Sequence, residues 1–153
     1  MKRVAGEDEY MERNCDACAR IVALAKRQGA QHSDPRAFLM AFGRQGAGIR
    51  GGVLGVWDLA RGGRDVLSGG GFNGEFDDGS GGQARHFCGI IVSACWFGRR
   101  LTRFVSVLIR RDRHDSADGR LSDAALDFVR LVRAGEVSVD AAHVWIAAQL
   151  CKG

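Results

Sequence analysis

Fifteen of the chain's 22 glycines lie between Gly43 and Gly82, against a single proline in the whole sequence. Each glycine in a helix interior costs about 1 kcal/mol relative to alanine. Any helix in that stretch must therefore be held by tertiary packing. The two flanks carry no such penalty, so the chain divides into helix-forming ends around a glycine-rich middle. That middle shows no repeat and holds too much apolar material for a pure linker. Close approach between helices or partial mobility of residues 43–82 would each account for its composition.

The flanks read clearly. From Glu7 to about Gln28, Met11, Cys15, Cys18, Ile21, Val22 and Ala25 recur at three- and four-residue spacing and form one apolar stripe. Acidic Asp8, Glu9 and Glu12 lie early and basic Lys26 and Arg27 late, as the helix dipole favours, with Gly29 as the stop. Asp34-Pro35 opens a second helix with Phe38, Leu39 and Phe42 on its apolar face, ended by Gly43. Val53, Leu54, Trp57 and Ala60 have helical spacing inside the glycine-rich stretch. Gln83–Phe97 reads as a buried helix broken at Gly98, and Arg99–Arg111 as an amphipathic one. A β-branched run makes a strand over Phe104–Ile109 the alternative there. Asp112–Gly119 reads as a loop. Ser122 then caps Asp123–Ala134, with Ala125, Phe128, Leu131 and Val132 facing the core, and Gly135 ends it. Ser138 caps a last helix containing Trp145, Ile146 and Leu150. The expected fold is all-α: one domain over residues 1–153, a bundle of five to seven helices with a glycine-rich central segment.

Apolar content of 46% and charged content of 26% are those of a soluble globular protein. The longest apolar run, Phe87–Phe97, is short of the roughly 20 residues that span a bilayer, so no membrane span is expected. The first residues lack the apolar segment of a signal peptide, which points to the cytoplasm. Five cysteines, an odd number without secretory context, argue against a disulfide framework and read as buried thiols. Spacing leaves open whether Cys88 or Cys95 faces Cys151 once the chain has folded.

Most motifs fail on their chemistry. Cys15-Asp16-Ala17-Cys18 has no second cysteine pair or histidine set to complete a zinc site, and it lies on an apolar stripe. Neither acidic loop places oxygen ligands and a closing glutamate in EF-hand register. No glycine cluster leads into Lys-Ser or Lys-Thr, as a Walker loop requires. No metal and no cofactor is expected. Gly81-Gly82 could still offer free amides to an anion, with Arg85 adding charge. His32, His114 and His143 read as surface residues.

The densest chemistry lies where the acidic loop Asn73–Ser80 runs into Gln83-Ala84-Arg85-His86. A histidine titrates near neutrality and can move protons, and Glu75, Asp77 or Asp78 could orient it. Two readings follow. In the first, the chain is a non-enzymatic helical module, structural or binding a protein partner. Its glycine-rich middle serves that contact, and the basic face bearing Arg99, Arg103 and Arg110 is available to an anionic ligand. In the second it is a small hydrolase-like enzyme using His86, Arg85, Asp77, Asp78 and Gln83. The first is preferred because the second lacks an identifiable nucleophile or a full metal set. No family resemblance is assigned.

Overall fold

The computed structural model describes residues 16–98 and 116–153. Among them lie six helices: α1 (Ala17–Gln31), α2 (Pro35–Ala47), α3 (Val53–Ala60), α4 (Gln83–Phe97), α5 (Ala117–Ala134) and α6 (Ala142–Leu150). The fold is all-helical. Extended pairing among the described residues is confined to two isolated bridges, Asp16 with Gly70 and Phe72 with Cys151. None of the described helices is long and apolar enough to cross a membrane. The amphipathic stretch Arg99–Arg111, its strand alternative and the arginines Arg99, Arg103 and Arg110 lie outside the described residues.

Local chemistry sets most boundaries. Asp16 accepts the Ala19 amide at 2.9 Å and Asp34 the Ala37 amide at 2.8 Å, so both first turns are capped. Gly48 (φ 64°) and Gly135 (φ 74°) adopt the left-handed conformation that ends α2 and α5. Helix α4 has the bounds its apolar run predicts.

Five expected boundaries differ. The helix expected from Glu7 does not run through Asp16, whose extended backbone and side-chain cap start α1 at Ala17. Gly29 lies inside α1, where a Cβ would stand 2.6 Å from the Val139 carbonyl oxygen, so it permits a close approach and is not a stop. Gly43 lies inside α2 for the same reason: a Cβ would meet Val92 Cγ2 at 2.9 Å and the Cys88 carbonyl at 3.1 Å. The expected loop Asp112–Gly119 already turns helical at Ala117, because Ser116 Oγ accepts the Gly119 amide at 3.0 Å. Ser122 is therefore an interior residue of α5. Helix α6 starts at Ala142 with no side-chain cap, so Ser138 does not cap it. Leu131 is only partly buried, and Leu121, Leu126 and Val129 join Ala125, Phe128 and Val132 in the core.

Helix α2 packs most extensively on α4, α4 on α5, and α1 on α6. Phe38, Phe42, Phe87 and Phe128 are fully buried where α2, α4 and α5 meet, with Phe42–Phe128 centroids 6.1 Å apart and Phe87–Phe128 5.8 Å. Trp145 from α6 closes on Phe128 at 5.1 Å. Such ring pairs add about 0.5–1.5 kcal/mol each beyond the area they bury.

A disulfide joins Cys18 to Cys151, with Cα atoms 5.6 Å apart and a sequence separation of 133. This corrects the expectation of free thiols. Among the described residues Cys88 and Cys95 are free and buried, and burial pushes the Cys88 thiol far above its ordinary range. In the chain-entropy account a cross-link over so long a loop constrains the unfolded chain by about 4–5 kcal/mol.

Gly46 tests the α2–α4 contact, since a Cβ there would run into Cys88 Sγ. Gly46→Val should destabilise the protein by about 1–3 kcal/mol. Adding Cys88→Ala should recover part of that loss in chemical denaturation. Equal losses in the single and double variants would place the contact elsewhere.

Candidate functional site

The acidic loop is built from its own carboxylates. Asn73 donates its amide to the Leu150 carbonyl at 2.8 Å and its side-chain Nδ2 to the Gln149 carbonyl at 3.2 Å, tying the loop entrance to the end of α6. Phe76 is buried in the core and anchors the middle. Asp77 Oδ1 accepts the Gly79 amide at 2.9 Å, and Asp78 Oδ1 accepts both the Ser80 amide at 2.9 Å and the Ser80 hydroxyl at 2.6 Å. These are Asx turns, the local bonding that lets aspartate stand in for backbone.

Gln83, the first residue of α4, reaches back into this loop. Its Nε2 donates to Asp78 Oδ1 at 2.6 Å and, more weakly, to Asp77 Oδ1 at 3.3 Å. Gln83 is 2% exposed, and its Oε1 has no hydrogen-bond partner. The Gly82 amide is occupied by Ser80 Oγ at 3.2 Å, so it is not the free anion-binding amide suggested by the glycine pair.

The two remaining candidates make contacts outside the loop. Arg85 Nε pairs with Asp65 Oδ1 at 3.2 Å. Nε2 of His86, which is partly buried, lies 2.8 Å from Ser122 Oγ on α5. The Ser80 hydroxyl and amide hold the Asp78 carboxyl below its ordinary range against the opposing effect of burial, and the nearby His86 adds a smaller pull in the same direction. Asp77, Asp78 and Gln83 thus converge, His86 stands within their electrostatic reach, and Arg85 is turned aside. The α5 side is joined to the loop by Arg120 Nε, which donates to the Glu75 carbonyl at 2.9 Å. Sequence reading missed Ser122, which is 36 positions from His86 and resembled a helix cap. His32 and His143 are partly buried, and the His143 Nδ1 atom is sealed from solvent without a partner. His114 lies outside the described residues. Among the described residues no group of three or more His, Cys, Asp or Glu side chains is gathered for a metal ion.

A second surface lies in the glycine-rich middle. Helix α3 stands outside the main helix pairings. Its inner face is Gly55, where a Cβ would come 3.2 Å from Trp96, and Asp58. Asp58 accepts from Arg50 through the backbone amide at 2.8 Å, Nε at 2.9 Å and Nη2 at 2.9 Å. These bonds hold the Asp58 carboxyl far below its ordinary range. Arg64 donates its amide to the Ala47 carbonyl at 2.7 Å and closes the excursion at its base. The outer face is the apolar one: Val53 is 77% and Trp57 60% exposed, with Leu54 and Val56 beside them. This reverses the usual arrangement, in which a helix turns its apolar stripe inward.

Comparison with protein-family models, curated proteins and solved structures finds no match to this chain.

Asp58 and Asp78 both sit below the ordinary carboxyl value of 3.8 in the folded protein. A depressed folded pKa contributes stability above the unfolded value, and that stability is lost as pH falls through the folded one. Melting temperature should therefore fall between about pH 4 and pH 2, with a shallower fall in Asp58→Asn and in Asp78→Asn. Parallel acid profiles for all three proteins would contradict the assignment.

Proposed function

We propose that this chain is a partner-binding helical module whose contact surface is the outer face of α3. The observation that carries the reading is the exposure of Val53, Leu54, Val56 and Trp57 on a helix fixed at its inner face by Asp58 and Gly55. Contiguous exposed apolar side chains with a polar rim mark interaction sites, and tryptophan is prominent among interface anchors. The exposed rim residues Arg61 and Arg64 are basic. The partner this surface fits is a protein offering an apolar groove with acidic edges. Arg99, Arg103 and Arg110 would add to the same attraction for an anionic partner. The Cys18–Cys151 bond favours work in an oxidising compartment, because a cytoplasmic setting would tend to keep the thiols reduced.

The test is a photo-crosslinking residue at Leu54, with adducts identified in extracts of the source cells. In a Val56→Asp/Trp57→Asp background the adducts should disappear while stability changes by no more than about 0.5 kcal/mol, as for surface sites. Val144→Asp, at an exposed position on α6, should leave the adducts intact. Adducts that persist in the double variant, or a collapse of its stability, would remove α3 as the contact surface.

One observation favours a second reading, a small hydrolase-like enzyme. The pairing of His86 Nε2 with Ser122 Oγ at 2.8 Å supplies the nucleophile that was missing beside the acidic loop. In this reading His86 takes the Ser122 proton as Oγ attacks an acyl carbon and passes it to the leaving group as the substrate's acyl bond breaks, and Asp78 favours the imidazolium that forms in between. Gln83 holds Asp78 and reaches Asp77 beside it, and Arg85 keeps the start of α4 in place through Asp65. A fluorophosphonate probe should then label Ser122 in the intact protein and fail to label His86→Gln. Equal labelling of both proteins, or none of either, would leave the pair as a bond between α4 and α5.

A further inference from the structure

The glycine-rich middle passes through a clamp formed by both ends of the described fold. Cys18 is the second residue of α1, and Cys151 directly follows α6. Between them runs the strap Gly69–Asn73. On one edge the Gly70 carbonyl accepts the Cys18 amide at 3.2 Å, and Gly70 bridges Asp16. On the other edge Phe72 bridges Cys151, the Gly71 carbonyl accepts the Lys152 amide at 2.8 Å, and the Asn73 amide donates to the Leu150 carbonyl at 2.8 Å. The strap is therefore hydrogen-bonded to the residues on either side of the covalent bond.

Little else holds it. Three of its residues are glycines, and Phe72 is its one fully buried apolar side chain. Gly71 (φ 90°) lies so close to the Asp16 carboxylate that no Cβ fits there. Placing this backbone correctly requires α1 and α6 to stay in register at these ends, and the disulfide fixes that register. The helix contacts of α2 with α4 and of α4 with α5 lie elsewhere.

We propose that Cys18–Cys151 is a redox latch: reduction by a dithiol releases the Gly69–Asn73 strap and leaves the α2–α4–α5 core folded. Cys151 is the more exposed residue of the pair, being only partly buried, whereas Cys18 is fully buried. A thiolate of the dithiol attacks Cys151 Sγ, the S–S bond breaks, and Cys18 leaves as a thiolate that takes up a proton. The second thiol of the reagent then displaces Cys151, which also leaves and is protonated. Two protein thiols are formed and the dithiol is oxidised to its cyclic disulfide. Cys88 and Cys95 take no part, being buried and held in the thiol form by that burial. Release reaches the acidic loop as well, because Asn73 is its first residue and the Gly69 amide donates to the Gly81 carbonyl at 3.1 Å.

Chymotrypsin tests the latch, since its aromatic preference makes Phe72 a reporter inside the strap. The substrate is the full chain in a Cys15→Ser background, either oxidised or reduced with dithiothreitol and desalted without oxygen. Cleavage after Phe72, read by mass spectrometry, should be at least about ten-fold faster in the reduced protein, in proportion to the strap's open population. Far-ultraviolet circular dichroism and a cooperative melt should show that the helices remain. Cys151→Ser should be cut at the fast rate in both redox conditions. Equal cleavage of the oxidised and reduced proteins would overturn the proposal. Loss of the cooperative melt on reduction or in Cys151→Ser, with new cuts after Phe38, Phe42 and Phe87, would also overturn it by showing that the bond holds the whole fold.

Discussion

The position of the glycine-rich middle depends on one clamp, in which Gly69–Asn73 lies between the first turn of α1 and the residues after α6. Backbone bonds from Gly70, Gly71 and Asn73 reach both sides, and the Cys18–Cys151 disulfide holds those sides together. Upstream of the strap, α3 leaves and returns at a base closed by Arg64 and Ala47. Downstream, the acidic loop runs from Asn73 to the start of α4. The acidic loop is therefore hung from this support, whereas α3 is fixed separately by the Arg50–Asp58 bonds and the Arg64–Ala47 base. Glycine is suited to the strap because Gly69 and Gly71 have positive φ and Gly71 has no room for a side chain.

The core has a different basis. Four phenylalanines from α2, α4 and α5 interlock, and Gly43 and Gly46 let the α2 backbone settle onto Cys88 and Val92. Interiors of this density respond to the addition of even one methylene. Stiff helices in turn fix the start of α4 and, with it, Gln83 and His86. The bond from His86 to Ser122 spans two of the helices that the phenylalanines unite. It is thus held by packing, while Asp77 and Asp78 are held by their own turns.

Features written within a few residues were legible in the sequence. The Asp34-Pro35 start, the bounds of α4 and the stop at Gly135 are all marked by residues at or beside the boundary itself. Glycine was the main source of error. Gly29 and Gly43 looked like stops, yet they are close-approach sites, and only a facing residue distinguishes these from the left-handed glycines Gly48 and Gly135. Ser116 and Ser122 both precede helical runs; Ser116 takes the cap by accepting the Gly119 amide, while Ser122 faces His86, far away in sequence. The disulfide was hidden for the same reason: Cys18 lies on an apolar stripe, and its partner is 133 positions distant. The outward face of α3 was likewise illegible, because helical spacing gives a stripe without saying which way it points.

The account therefore stands on a stretch of glycine-rich chain being a docked part of the fold. Site-resolved hydrogen exchange on the oxidised protein measures this directly. The amides of Cys18, Asn73 and Lys152, each bonded across the clamp, should exchange far more slowly than unstructured chain, approaching the protection of the neighbouring helical turns. Exchange of all three at the unstructured rate, while α2 and α4 stay protected, would contradict the account, because the strap would then not be docked.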